Sequence, residues 1–75
     1  MRYFFDIRDD FYAANDDDGA DFLDPAAARR EALRAATTIA EDLFIANGSA
    51  IKVTVRDDDD PLFEIVVYLK MKDLR

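Results

Sequence analysis

The chain has 75 residues, of which 51% are hydrophobic, and it carries a formal net charge of −7. This length predicts a single domain over residues 1–75, and the apolar share is too high for a disordered segment. Cysteine and histidine are both absent, which excludes disulfides, thiolate metal sites and histidine general bases. The acidity argues against direct binding to nucleic acid or to an anionic membrane, because both are polyanions.

The sequence contains no membrane-spanning pattern. No apolar run approaches the roughly 20 residues that a membrane-spanning helix needs. The first residues do not resemble a secretory signal, because Asp6 interrupts the opening apolar stretch. We therefore expect a cytoplasmic domain that makes no contact with a membrane.

Two strands are predicted in the first part of the chain. Residues 1–8 alternate apolar side chains with mostly polar ones, which is the period of a strand with one buried face. A turn at Asp9 and Asp10 then leads to a shorter predicted strand over residues 11–14, where alanine makes the strand pattern weaker.

A helix is predicted from Pro25 to about Ala46. Asp24 is a good N-cap, proline suits the first helical position, and the pair Asn47-Gly48 is typical of a helix end. The predicted buried face is rich in alanine, so the helix can lie close to the layer that it covers. Its members are Ala28, Ala32, Leu33, Ala36, Ile39, Ala40 and Leu43.

Two more strands are predicted over residues 50–56 and 61–71, and the acidic run Asp57–Asp60 joins them as a hairpin turn. The predicted order ββαββ gives an α+β fold, with a four-stranded, mainly antiparallel sheet and one helix packed on one face. These patterns leave the strand order open.

Two stretches of the sequence resemble a known family. The first is RYFFD followed by the Arg8-Asp9 pair, and the second is an acidic turn at Gly19 that leads into AARREAL at residues 27–33. In these motifs the chain resembles a family of small proteobacterial domains of unknown function, over nearly its whole length. The resemblance implies a compact α+β domain with no assigned activity and no catalytic residues.

The two acidic turns are the first candidate binding surface. Four adjacent carboxylates repel one another by roughly 1 kcal/mol per close pair, whereas a turn needs only one or two aspartates for its geometry. The excess charge favours a role in binding a partner, and a merely solvated turn is the alternative. The candidate residues are Asp16, Asp17, Asp18, Asp57, Asp58, Asp59 and Asp60.

Neither a metal site nor an active site is predicted. With Gly19 in the sixth position of an EF-hand loop, Ala14 and Pro25 would take the first and twelfth positions, where side-chain ligands are needed. Weak binding of divalent ions stays an open alternative. Ser49 is the only serine and has no histidine to activate it, so we predict no catalytic residue, no cofactor and no enzymatic activity.

The outer face of the predicted sheet is the second candidate surface. Alternation places basic residues on it together with an apolar stripe, and such a stripe is typical of an interface. Three interpretations of this face stay open: an ordinary amphiphilic outer face, a homodimer face and a nucleic-acid platform. The apolar residues of this face are Phe4, Leu62, Val66 and Tyr68.

Together these features predict a small non-catalytic interaction module whose acidic turns bind a basic partner protein. In its sharper form the hypothesis is a nucleic-acid mimic, in which carboxylates replace phosphates and inhibit a nucleic-acid-handling protein. In size and acidity the chain is similar to phage-encoded inhibitors of restriction and CRISPR systems. The alternative is a structural homodimer that associates through its outer sheet face.

Overall fold

The computed structural model describes all 75 residues. The chain forms one helix and an antiparallel sheet of five strands. The predicted α+β fold, with one helix packed on one face of an antiparallel sheet, is confirmed. The elements are β1 (Arg2–Asp9), β2 (Ala13–Ala14), β3 (Ala20–Asp21), α1 (Pro25–Ile45), β4 (Ala50–Asp57) and β5 (Asp60–Tyr68). The strand order is β2-β1-β4-β5, and β3 also pairs with β1.

The predicted second strand is shorter than the sequence pattern indicated. The Oδ1 atom of Asp9 accepts hydrogen bonds from the backbone N–H groups of Phe11 and Tyr12, at 2.8 and 3.0 Å. An aspartate that bonds to the backbone two and three residues ahead holds the chain in a turn. Only β2 therefore remains as a strand, and it pairs with Ile7 and Arg8 of β1.

β3 is not predicted by the sequence pattern, and the last strand is shorter than predicted. β3 pairs with Arg2 and Tyr3, on the same edge of β1 that β2 uses further along. β5 ends at Tyr68 instead of residue 71, because its partner strand β4 begins at Ala50. Beyond that pair, the only backbone bond between the two segments runs from the N–H of Leu69 to the carbonyl oxygen of Ser49.

The helix lies against the sheet through a narrow stripe of alanines. Asp24 caps its first turn, since its Oδ1 atom accepts from the N–H of Ala27 at 2.8 Å. Leu33, predicted for the buried face, is 52% exposed because it lies one residue beyond Ala32 and so turns away from the stripe. The fully buried alanines are Ala28, Ala32 and Ala36. No helix in the protein is long and apolar enough to span a membrane.

The core lies between this stripe and the two central strands. Tyr3 of β1 is buried, and so are the three inward side chains of β4, namely Ile51, Val53 and Val55. The inward side chains of β5 are only half-buried, because this strand has a neighbour on one side only.

Candidate functional site

The two acidic turns meet at one end of the sheet, although they are 40 residues apart in the sequence. Arg56, near the end of β4, joins them. Its Nη2 atom donates to the backbone carbonyl oxygen of Asp16 at 2.6 Å, and its Nη1 atom donates to that of Asp58. We call the surface formed by Asp16–Asp18, Asp21 and Asp57–Asp60 the acidic end.

Arg56 is itself fixed by β1. Its Nε atom donates to Oδ2 of Asp6 at 2.8 Å, and its guanidinium lies 4.5 Å from the centre of the Phe4 ring. The hydrogen bond to Asp6 raises the pKa of Arg56, and the nearby acidic charges add to this effect. The guanidinium therefore stays charged and keeps both turns in one orientation.

Asp16 serves the fold rather than the free surface. Its Oδ2 atom accepts from the N–H of Phe5 at 3.1 Å, and its Oδ1 atom accepts from the N–H groups of Asp18 and Gly19 at 3.1 and 3.0 Å. Phe5 lies in the middle of β1, between the segments that pair with β2 and β3. The Asp16 carboxylate thus takes the place of a strand partner at this edge.

These contacts determine how the two interior carboxyls titrate. Partial burial alone would raise the pKa of Asp16, but the bonds from Gly19, Phe5 and Asp18 outweigh it, and the pKa lies below its ordinary value of 3.8. Partial burial also acts upward on Asp6, and the bonds from the Arg56 side chain and the Asp16 N–H lower its pKa in the same way. Both carboxyls are therefore ionised at neutral pH.

Six carboxylates of the acidic end remain free. Each of these side chains is exposed, accepts no hydrogen bond and belongs to none of the four ion pairs of the protein. No three of them converge as a metal-ion site. The free members are Asp17, Asp18, Asp57, Asp58, Asp59 and Asp60.

The four residues of the predicted dimer face do not form one patch. Leu62, Val66 and Tyr68 lie along β5 and are 47%, 54% and 73% exposed. Phe4 lies on β1, with β4 between it and β5, and the Arg56 guanidinium covers its half-buried ring.

The largest surface hollow lies away from the acidic end. Its volume is about 370 Å³, and it is lined by Phe11, Tyr12 and Leu43 among others, near the end of α1. It is a shallow apolar hollow between the β1–β2 turn and the helix.

Sequence reasoning identified the acidic residues and missed the arginine that joins them. Arg56 stands directly before the run Asp57–Asp60, and pairing β4 with β1 sets it opposite Phe4, two residues from Asp6. Pairing the two strands in this register indicates that ion pair, but the sequence patterns leave the strand order open.

Comparison with known proteins places the chain in a family. The family model described as "Domain of unknown function (DUF6894)" matches residues 2–67, which include the helix and both acidic turns. No curated protein and no solved structure matches the chain. The resemblance to a family of small domains of unknown function is thereby confirmed, and the chain belongs to the DUF6894 family.

Proposed function

We propose that this chain is a non-catalytic interaction module that uses the acidic end to bind a basic surface on a partner protein. The observation that supports this function is that Arg56 joins, through two backbone carbonyl oxygens, two distant turns that together carry six free carboxylates. A charged patch of one sign attracts an oppositely charged partner over a distance and orients the encounter.

The way in which the turns are held favours binding. The backbone of one turn is bonded to Arg56, and the backbone of the other is bonded both to Arg56 and to the Asp16 carboxylate. Fixed turns lose little conformational freedom when a partner binds, so more of the electrostatic attraction appears as affinity. Single surface ion pairs contribute little, and a group of six carboxylates acts together.

The directions of the displaced pKa values support a non-catalytic role. A carboxyl that acts as a general acid at neutral pH needs a raised pKa. The carboxyls whose pKa is displaced are all displaced downward, and hydrogen bonds or an arginine cause this in each case. They are Asp6, Asp10, Asp16 and Glu31.

The sharper form of the proposal is nucleic-acid mimicry. Carboxylates on a fixed surface would occupy the sites that phosphates take on a nucleic-acid-handling protein, and so inhibit it. Lysine and arginine side chains that bind phosphate also bind carboxylate, because both are oxygen anions that accept charge-assisted hydrogen bonds. This form predicts that the partner binds either this chain or nucleic acid, and never both at one site.

The test compares two double variants that remove the same charge. Asp59→Asn/Asp60→Asn neutralises part of the acidic end, whereas Glu41→Gln/Asp42→Asn neutralises two exposed acids near the other end of α1. The immobilised chain first captures partners from a cell lysate at low salt, and the purified partner is then titrated against each variant by calorimetry.

We expect the acidic-end variant to bind at least about tenfold more weakly and the helix variant to bind within about twofold of the unmodified chain. Affinity should also fall as salt rises. An equal loss of partner affinity in both variants, or an affinity that does not change with salt concentration, would contradict the proposed function. Competition by duplex DNA or RNA supports mimicry, and simultaneous binding of nucleic acid refutes that form alone.

A further inference from the structure

β5 leaves one long edge of the sheet open. The opposite edge, on β1, is covered by β2, β3 and the Asp16 carboxylate, whereas β5 is last in the strand order and pairs only with β4. None of the backbone hydrogen bonds outside the ladders and the helix involves residues 60–68. The sheet therefore ends in a nine-residue strand with an unpaired side.

The ladder register shows which backbone groups point outward. The N–H of Leu69 donates to the carbonyl oxygen of Ser49 at 2.9 Å, which continues the pairing of β5 with β4. Bonded and non-bonded pairs alternate in an antiparallel ladder, so the odd-numbered residues of β5 bond to β4. The N–H and C=O groups of Glu64, Val66 and Tyr68 therefore face the open side.

This edge has little of the protection that free edges usually carry. Charges, proline and bulges normally prevent such strands from pairing with another chain. In β5 the proline, Pro61, and the bulge lie at its first residues, and Glu64 is the only charged residue beyond them. Val66 and Tyr68 are 54% and 73% exposed, although valine and tyrosine favour strand pairing.

We propose that β5 pairs antiparallel with β5 of a second copy of this chain, about a two-fold axis at Val66, so that both copies share one continuous sheet. In this register Val66 lies opposite Val66 of the second copy, and Glu64 lies opposite Tyr68. Each bonded pair exchanges two backbone hydrogen bonds, so these positions supply about six. The inference goes beyond the proposed function and does not depend on it.

Three other registers are less favourable. An axis at Glu64 would set two carboxylates directly opposite each other, which is destabilising. An axis at Ile65 would bring Leu62 into the ladder, but Leu62 is the bulged residue between the pairs Val55–Phe63 and Arg56–Pro61. An axis at Tyr68 would leave only one bonded pair.

Charge complementarity favours a second copy as the occupant. An antiparallel pair places the start of each β5 beside the segment that follows the other β5. The start carries Asp57–Asp60, and residues 69–75 carry two lysines and one arginine against one aspartate. Opposite charges therefore meet at both ends of the interface.

The first test uses an introduced thiol, because the chain has no cysteine. Paired residues at the axis have Cα atoms about 5.5 Å apart, within the range of a disulfide. Val66→Cys should form a covalent dimer on mild oxidation at least about tenfold faster than Leu33→Cys. Leu33 is a matched control, since it lies on α1 and is 52% exposed, against 54% for Val66. Equal rates would overturn the proposal.

The second test measures the dimer dissociation constant by sedimentation equilibrium. Val66→Lys places two ammonium groups at the axis and should raise the constant at least about tenfold, whereas Leu33→Lys should leave it within about twofold. A monomer at about 1 mM of the unmodified chain, or an unchanged constant for Val66→Lys, would overturn the proposal.

A third measurement needs no variant and applies even where a substitution disturbs folding. In the unmodified chain, amide hydrogen exchange at Val66 and Tyr68 should slow as the protein concentration rises, because the second copy bonds to these N–H groups. Exchange that is independent of concentration over the same range would overturn the proposal.

Discussion

Replacing Asp16 by asparagine tests whether its carboxylate belongs to the fold. One carboxylate oxygen accepts from the N–H of Phe5 on the edge of β1, and the other accepts from the N–H groups of Asp18 and Gly19 in the turn. The amide of the Asp16→Asn variant has a single acceptor oxygen. It can satisfy the strand edge or the turn, but not both.

The size of the effect follows from the bonds that are lost. A hydrogen bond to a charged group contributes about 1.5–3 kcal/mol, and a buried donor left without an acceptor costs about 1–3 kcal/mol. The Phe5 N–H is part-buried and the turn is more exposed, so we expect a loss near the middle of these ranges, about 2 kcal/mol. In a domain of this size such a loss lowers Tm by about 8–16 °C.

Urea unfolding followed by circular dichroism measures the free energy of unfolding. Asp17→Asn is the matched control, because Asp17 is the exposed neighbour, its side chain accepts no hydrogen bond, and its replacement removes the same charge. We expect the control to change the free energy of unfolding by less than about 0.5 kcal/mol. If both variants lost the same stability, or if Asp16→Asn lost none, the carboxylate would not be sealing the edge of β1.

Four more predictions concern stability. The pKa values of Asp6 and Asp16 lie below the ordinary 3.8 in the folded state. Their contribution to the free energy of unfolding is therefore complete above about pH 5 and is lost as the pH falls through the folded pKa values. The urea midpoint should fall with acidification, and it should fall less for Asp16→Asn. Gly19→Ala should lower the free energy of unfolding by about 1–2 kcal/mol, because φ is 70° and the added Cβ would lie 2.9 Å from a ring carbon of Phe4. An unchanged urea midpoint would contradict this prediction. Ala32→Leu should lower the free energy of unfolding, measured in urea, by about 1–3 kcal/mol or prevent folding, because the alanine is fully buried against the sheet. Asp58→Gly should raise the free energy of unfolding by about 0.5–1 kcal/mol, since φ is 53° there.

The elements that sequence reasoning found are those whose signals are local. Asp24 and Pro25 mark the start of α1 through contacts within one helical turn, and the structure begins the helix at Pro25. The hairpin of β4 and β5 follows from two alternating segments separated by a short acidic turn. In each case the residues that determine the element are also the residues that form it.

The features that it missed depend on contacts between distant segments. β3 has two residues, so it has no period to detect, and only pairing with Arg2 and Tyr3 defines it. The sequence also does not show that Asp16 supports the fold while Asp17 and Asp18 stay free. The three aspartates are identical residues, and only the folded structure brings backbone N–H groups to the Asp16 carboxylate. Arg56 gains its role from the strand order, which alternation does not determine.

The turn Asp57–Asp60 between β4 and β5 contains residues that lower the stability of the fold. Asp58 holds a left-handed backbone with φ of 53°, a conformation in which glycine or asparagine is less strained. Its neighbours on both sides are carboxylates that repel it, and its own carboxylate accepts no hydrogen bond, although Arg56 bonds to its backbone carbonyl oxygen. Under the proposed function these costs are offset when a basic partner binds. Asp58→Asn should then raise the free energy of unfolding and weaken partner binding. Asp16→Asn, in contrast, should lower the free energy of unfolding. If Asp58→Asn stabilised the chain and left partner affinity unchanged, the excess charge of this turn would have no role in binding.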